Sequence, residues 1–427
     1  MKKSADAKTW MDAIGSPDRE VRIFARDNFA NYVPESEIGP LALKAAGSDD
    51  YETALTGLKM LSKADIPGRG KVAILSLNSE RAELVRAALE VIKQDPVPES
   101  HDTLEVLLAN PDVTIQSGTI EALAAMGNPD DTALFIDFLS SSSAGLRKTA
   151  HDAIIKIAAK NPEAVNELLK AARGFNLSTA RQSIEILGEI GGNEATAALF
   201  EFVTGGPPGL ASDAATALGK IGGEDVSKRA LGIFREGDSS ARSHIARVLE
   251  ALHNKNAMSD LWQTVINPDE DLWARYYSME ALTTCGDETL VPEIITYFEN
   301  GRHDDRITGM AIEALGGMGG PEALDLYDSV ILGEKDFGLD RAGGKVALSA
   351  VIRGLGHMDT DESRERLRKI MDETDPEEIQ ILIDVIRSFS QVGTEDDIER
   401  LRKLGDQSMV LESPTIEAIA EIEKRKG

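Results

Sequence analysis

The chain has 427 residues, 73 of them acidic and 46 basic, for a formal net charge of −27. Such a field opposes nucleic acid and anionic membrane and favours basic partners. One cysteine, Cys285, excludes an intrachain disulfide and a cysteine metal cluster, and no run approaches the roughly 18 apolar residues of a membrane span.

The first ten residues, Met1–Trp10, are polar and lack an apolar signal core, so a cytoplasmic location is expected. From there on a helical phrase recurs: a small apolar residue, Leu or Ile, two free residues, an apolar residue, Gly. Residues 1–95 carry it in degenerate form, anchored on Phe29, Leu58 and Leu89, with no glycine after Leu58 or Ile92. Residues 96–330 carry it regularly, as in Ala-Leu-Ala-Ala-Met-Gly at 122–127 and Ala-Leu-Thr-Thr-Cys-Gly at 281–286. Here the anchors are Leu123, Ile154, Leu187, Leu218, Leu249, Leu282 and Leu315. Residues 331–427 keep anchors at Ile352, Phe389 and Ile419, with longer connections expected at Leu332–Gly344 and Met358–Pro376 and a final capping unit. Anchors stand 29 to 37 residues apart. A fixed period in this range predicts stacked supersecondary units burying their faces on one another, and therefore one continuous domain over 1–427.

The fourth unit shows what one repeat contains. A first helix is predicted over Asp102–Leu108, and Asn110-Pro111-Asp112 makes a turn with Asp112 placed to cap the next helix. The second helix is predicted over Ile115–Met126, closed by a left-handed cap at Gly127, and the pattern restarts at Asp130–Leu139. Equivalent glycines stand at Gly191, Gly222, Gly286, Gly319, Gly356 and Gly393. No period-2 alternation persists, so the class is all-α. Several units also begin Asp-x-x-x-Arg: Asp18 with Arg22, Asp238 with Arg242, Asp271 with Arg275. This spacing predicts helix-start ion pairs four residues apart.

The Asp-x-x-x-Arg start and the Ala-Leu-x-x-apolar-Gly finish resemble the HEAT-repeat superfamily, and most closely the short HEAT-like units of phycobiliprotein lyases. The resemblance covers nearly the whole chain. It implies a right-handed α-solenoid of about thirteen helix pairs. For function it implies a range, since family members include scaffolds, chromophore lyases, DNA glycosylases and metal hydroxylases; the alternatives to a scaffold are a bilin lyase-like chromophore chaperone or enzyme and, apart from the resemblance, a regulator of a signalling complex.

Catalytic signatures are missing. No His-Glu dipeptide of the kind that holds iron in HEAT-type hydroxylases occurs. The His-Asp dipeptides at 101–102, 151–152 and 303–304 fall in different units and phases, and no metal or cofactor is expected. The run Gly316-Gly317-Met318-Gly319-Gly320 follows a helix and reads as a cap and turn, not a phosphate loop.

If the chain works by binding, the second helices carry the surface, expected to be concave. At about 100° per residue, positions −4, −1, 0 and +3 from the anchor face inward and −2, −6 and −9 face outward. Position −2 holds Asp27, Glu121, Asp152, Glu185, Glu280, Glu313 and Glu417, interrupted by Thr216, Arg247 and Arg387. Lys148 and Arg181, four residues before Asp152 and Glu185, would neutralise those rungs; Glu121, Glu280 and Glu313 are expected to be less compensated. One unit concentrates aromatics, Trp273, Tyr276 and Tyr277, with Trp273 and Tyr276 on the outward phase beside Glu280, and with Arg247, Arg306 and Glu313 on neighbouring rungs. Trp, Tyr and Arg together are the composition of a binding hot spot; the competing expectation packs Trp273 with Trp262 over a gap between units. The expected role is that of a monomeric, non-catalytic scaffold or adaptor, taking a protein or peptide with a basic patch through Glu121, Arg247, Trp273, Tyr276, Glu280, Arg306 and Glu313.

Overall fold

The computed structural model describes residues 7–32, 35–63, 65–206, 208–341 and 344–425. The side chains of Asp27 and Phe29 lie outside the described residues. Among those described there are 26 α-helices, a few 3-10 turns and no strand. The helices form thirteen successive pairs, and every anchor of the sequence repeat sits on the second helix of its pair. The fold is an all-α solenoid. Its contacts divide into two compact units, residues 1–195 and 196–427.

Within each unit, the second helix of one pair packs on the second helix of the next. In the N-terminal unit this layer includes Tyr51–Leu61, Ala82–Gln94, Val113–Met126, Ala144–Ala158 and Leu177–Ile190. In the C-terminal unit it is Pro208–Ile221, Ser239–Ala251, Leu272–Cys285, Asp305–Met318, Val346–His357, Ile379–Val392 and Met409–Lys424. The anchors from Leu58 to Phe389 are all sealed from solvent, and each contributes about 1.5–3 kcal/mol of burial. Ile419, on the last helix, is only partly covered. Cys285 is buried at the seam, where its Sγ donates to Leu249 O at 3.2 Å and burial pushes its thiol up to about 11.

The fourth repeat follows its sequence closely: helices at His101–Leu107 and Val113–Met126, then Asp131–Ile136 and a 3-10 turn at Asp137–Ser140. Asp112 caps through Thr114 N at 2.8 Å, and Gly127 is left-handed at φ 75°.

Four expectations need correction. The arginines of the Asp-x-x-x-Arg starts do not pair with their aspartates. Asp238 and Asp271 accept from backbone N–H groups at Ala241 and Trp273. Arg22, Arg242 and Arg275 reach back to the carbonyls of Ser16, Phe234 and Val265. The carbonyls ending a helix have no partner within it, and a guanidinium fills that need better than an exposed pair would.

Second, three of the capping glycines are not left-handed. Gly286 and Gly393 are extended, and Gly356 lies inside the helix Val346–His357. Third, Gly316 and Gly317 are helical, and only Gly319 and Gly320 make the turn, at φ 78° and 91°. A Cβ on Gly316 would stand 1.9 Å from Gly354 O, and one on Gly317 would stand 2.1 Å from Thr283 O. These two glycines therefore let one helix press its backbone against the helices on both sides.

Fourth, Met358–Pro376 is no long connection: most of it is the first helix Asp361–Glu373. The segment from Leu332 is a true connection, although residues 342–343 of it lie outside the described residues. It is tied back by Arg341 to Asp305 at 3.0 Å, and Asp340 accepts from Ala347 N at 2.9 Å.

Candidate functional site

Five consecutive second helices of the C-terminal unit, from Ser239–Ala251 to Ile379–Val392, present one continuous face. The helix Leu272–Cys285 is its centre. Asp271 caps it through Trp273 N, which fixes the first turn, and the inward positions Ser278, Ala281, Leu282 and Cys285 are all buried. The same periodicity turns Trp273 and Tyr276 outward.

Trp273 is 48% exposed. Its ring lies 5.9 Å from Tyr276, edge to face, and 5.9 Å from Tyr277, stacked; the two tyrosines meet edge to face at 5.4 Å. The Arg306 guanidinium stands 5.6 Å over the Trp273 ring, and Arg247 stands 5.6 Å over Tyr277. Arg247 also donates to Ser212 Oγ, and Arg306 is held by Asp304 at 3.2 Å. Aromatic pairs of this geometry contribute about 0.5–1.5 kcal/mol each, and an arginine over a ring about 0.5–1 kcal/mol at exposed sites. The cluster is thus held in place while Trp273 stays about half-exposed. The competing expectation fails, because Trp262 is buried elsewhere, donating to Glu293 at 2.7 Å and packing on Tyr297.

Beside the aromatics runs a band of half-buried charge. Glu313 on Asp305–Met318 meets Arg353 at 2.6 Å and His357 at 3.5 Å, both from the next second helix. Burial works to raise its carboxyl, but His357 and Arg353 hold it below the usual range. Arg353 also approaches the buried Asp384 at 3.8 Å, and Gln380 donates to Asp384 at 3.2 Å. Glu280 has no such base. Burial first, then the charges of Glu250 and Glu313, push its carboxyl up to about 7, with Arg247 opposing. Glu250 is raised as well, again chiefly by burial. Among the described residues, neither Glu250 nor Glu280 has an ion pair or a side-chain hydrogen bond. Tyr276, half-buried, has its phenol raised by burial and by Glu280 and Glu313.

Arg247, Trp273, Tyr276, Glu280, Arg306 and Glu313 therefore stand together on three adjacent helices. Glu121 lies in the N-terminal unit, bridged by Lys93 at 2.8 Å, and Lys93 also holds Glu90 at 3.0 Å. The expectation that Glu121 and Glu313 are uncompensated is wrong: each is neutralised by a base on the adjoining second helix. Only Glu280 stays the less compensated rung that was expected: it makes no ion pair, and Arg247 acts on it only from a distance. Three members of the face went unread in the sequence, Glu250, Arg353 and His357. They sit at +1, +1 and +5 from their anchors, about 100° to 140° around the helix and so close to position −2 at about 160°. Their helical phase puts them on this face, but Arg353 and His357 meet Glu313 from another helix, which no spacing of four residues along one helix reveals.

Among the described residues, no helix is long and apolar enough to cross a membrane. No family model matches the chain, and no curated protein matches it. Solved structures do. Kap121p is 13% identical with a TM-score of 0.44, the match covering 97% of this chain and 52% of Kap121p. Importin-beta is 12% identical at 0.41, covering 97% and 66%. Yeast importin-beta (Kap95p) is 11% identical at 0.42, covering 97% and 66%. The chain thus spans about half the length of Kap121p.

Proposed function

We propose that this face of the C-terminal unit binds a protein or peptide, and that the chain is a non-catalytic scaffold or adaptor. The observation that carries the reading is the half-exposed Trp273, packed on two tyrosines, with Arg306 over its ring and Arg247 over that of Tyr277. Exposed Trp, Tyr and Arg held rigid in one patch are what dominates binding energy at interfaces. Glu280, beside it and without a base of its own, supplies the complement for a lysine or arginine of the partner, whose aliphatic stem would lie on the indole. The net charge of −27 supports a partner with a basic patch.

The test is affinity capture with the whole chain and with a double variant, Trp273→Ala with Tyr276→Ala, each checked for unchanged helicity. The reading expects a partner that the native chain captures and the variant loses. An identical set of captured proteins from both would overturn it.

A further inference from the structure

We infer that His101, Glu105 and Asp131 form a divalent-cation site in the N-terminal unit, of the Zn²⁺ class. His101 and Glu105 are four residues apart on the helix His101–Leu107 and so share a side of it. Asp131 opens the first helix of the next repeat, Asp131–Ile136, thirty positions on. One repeat of translation brings the three together: His101 Nε2 is 2.7 Å from Asp131 Oδ1, His101 Nδ1 is 3.6 Å from Glu105 Oε1, and one ligand atom from each residue falls within 4.8 Å of the others.

A histidine–aspartate hydrogen bond alone explains only part of this. Asp131 is 1% exposed, and its carboxylate is used on one side. Oδ1 accepts from Asn128 Nδ2 at 3.3 Å as well as facing His101, while Oδ2 is buried with no hydrogen-bond partner. A buried, half-used carboxylate is costly. Charge points the same way. Asp131, Glu105 and Asp102, the last at 3.9 Å, surround a single imidazole. A cation between the three side chains would offset the excess and give the Asp131 carboxylate a further partner.

The donor set indicates the metal. One imidazole with two carboxylates suits Zn²⁺, Mn²⁺ or Co²⁺ better than Mg²⁺ or Ca²⁺, which take oxygen alone. Bonds of about 2.0–2.2 Å place ligand atoms about 3.3 Å apart, so Asp131 and His101 must open slightly and Glu105 must swing in. Glu105 is half-exposed and free to move, and Asp102 beside it lies in solvent, which gives the ion a way in. The bound ion would staple the fourth repeat to the fifth.

Metal-stripped whole chain is titrated with Zn²⁺ by calorimetry and with Co²⁺ by visible absorption. One saturable equivalent is expected, with a melting midpoint that rises on loading. Asp131→Asn keeps the shape of the side chain and should weaken binding at least about tenfold. Glu105→Gln changes a half-exposed residue, so its metal-free melting should match the native chain while its affinity falls several-fold. Weak, unsaturable uptake by scattered surface carboxylates, or full affinity in both variants, would overturn the site.

Discussion

Glu280→Gln isolates the charge on the binding face that has no base. The native carboxyl titrates near 7 against an ordinary value of 4.5. In the folded chain it therefore holds its proton between about pH 4.5 and 7, while the unfolded chain has already released it. The unfolded state binds fewer protons in that window, so stability falls as pH rises through it and is level above about 7. The gap corresponds to roughly 3.4 kcal/mol without screening. Glu280 is only partly covered and titrates together with Glu250, so solvent and coupling reduce this to about 1–2 kcal/mol. Glutamine is neutral at every pH and nearly the same shape. The variant should then melt like the native chain near pH 4.5 and several degrees higher at pH 8, given about 2–4 °C per kcal/mol for a unit of this size. Melting curves followed by circular dichroism from pH 4.5 to 8.5 read this directly. A variant less stable at pH 8, or one offset equally at every pH, would refute the account of Glu280 as a poorly solvated anion.

Replacing both Trp273 and Tyr276 by Ala should cost at most about 2–3 kcal/mol of stability, because much of the indole is already in water, whereas affinity for a partner should fall by about 2 kcal/mol or more; melting and a binding titration on the same variant separate the two. Leu218→Asp should unfold the repeats around Pro208–Ile221, since Leu218 is sealed and the charge would have no partner; unchanged melting would show the repeat register to be wrong. Gly316→Ala puts a methyl group 1.9 Å from a neighbouring backbone oxygen, so the two helices must part, at a cost of about 1–3 kcal/mol or more, seen as a lower denaturation midpoint.

The architecture was legible because it depends on positions that repeat. Leu123, Leu218 and Leu282 are buried for the same reason at the same phase, and the Asp112 cap and the Gly127 turn follow from local chemistry. The outward phase of Trp273 and Tyr276 was legible for that reason too. What lay hidden was every contact made across a repeat. Glu313 with Arg353, Glu121 with Lys93 and His101 with Asp131 join residues 28 to 40 positions apart. Local spacing carries no sign of them until the repeat length and the phase are applied together. Gly316 and Gly317 were misread in the same way, as punctuation at a helix end, because their reason lies in the backbones of other helices.

That pair of glycines has a consequence for recognition. At Gly316 and Gly317 no side chain keeps the helices Leu272–Cys285, Asp305–Met318 and Val346–His357 apart, so their separation there is set by backbone atoms that cannot change rotamer. The backbone spacing between the positions of Trp273 and Arg306, and of Glu313 and Arg353, inherits that stiffness. On the proposed reading, the face would act as a ruler with fixed graduations, suited to a partner whose basic and apolar groups recur at the pitch of the helices and not to one of the same composition at another spacing.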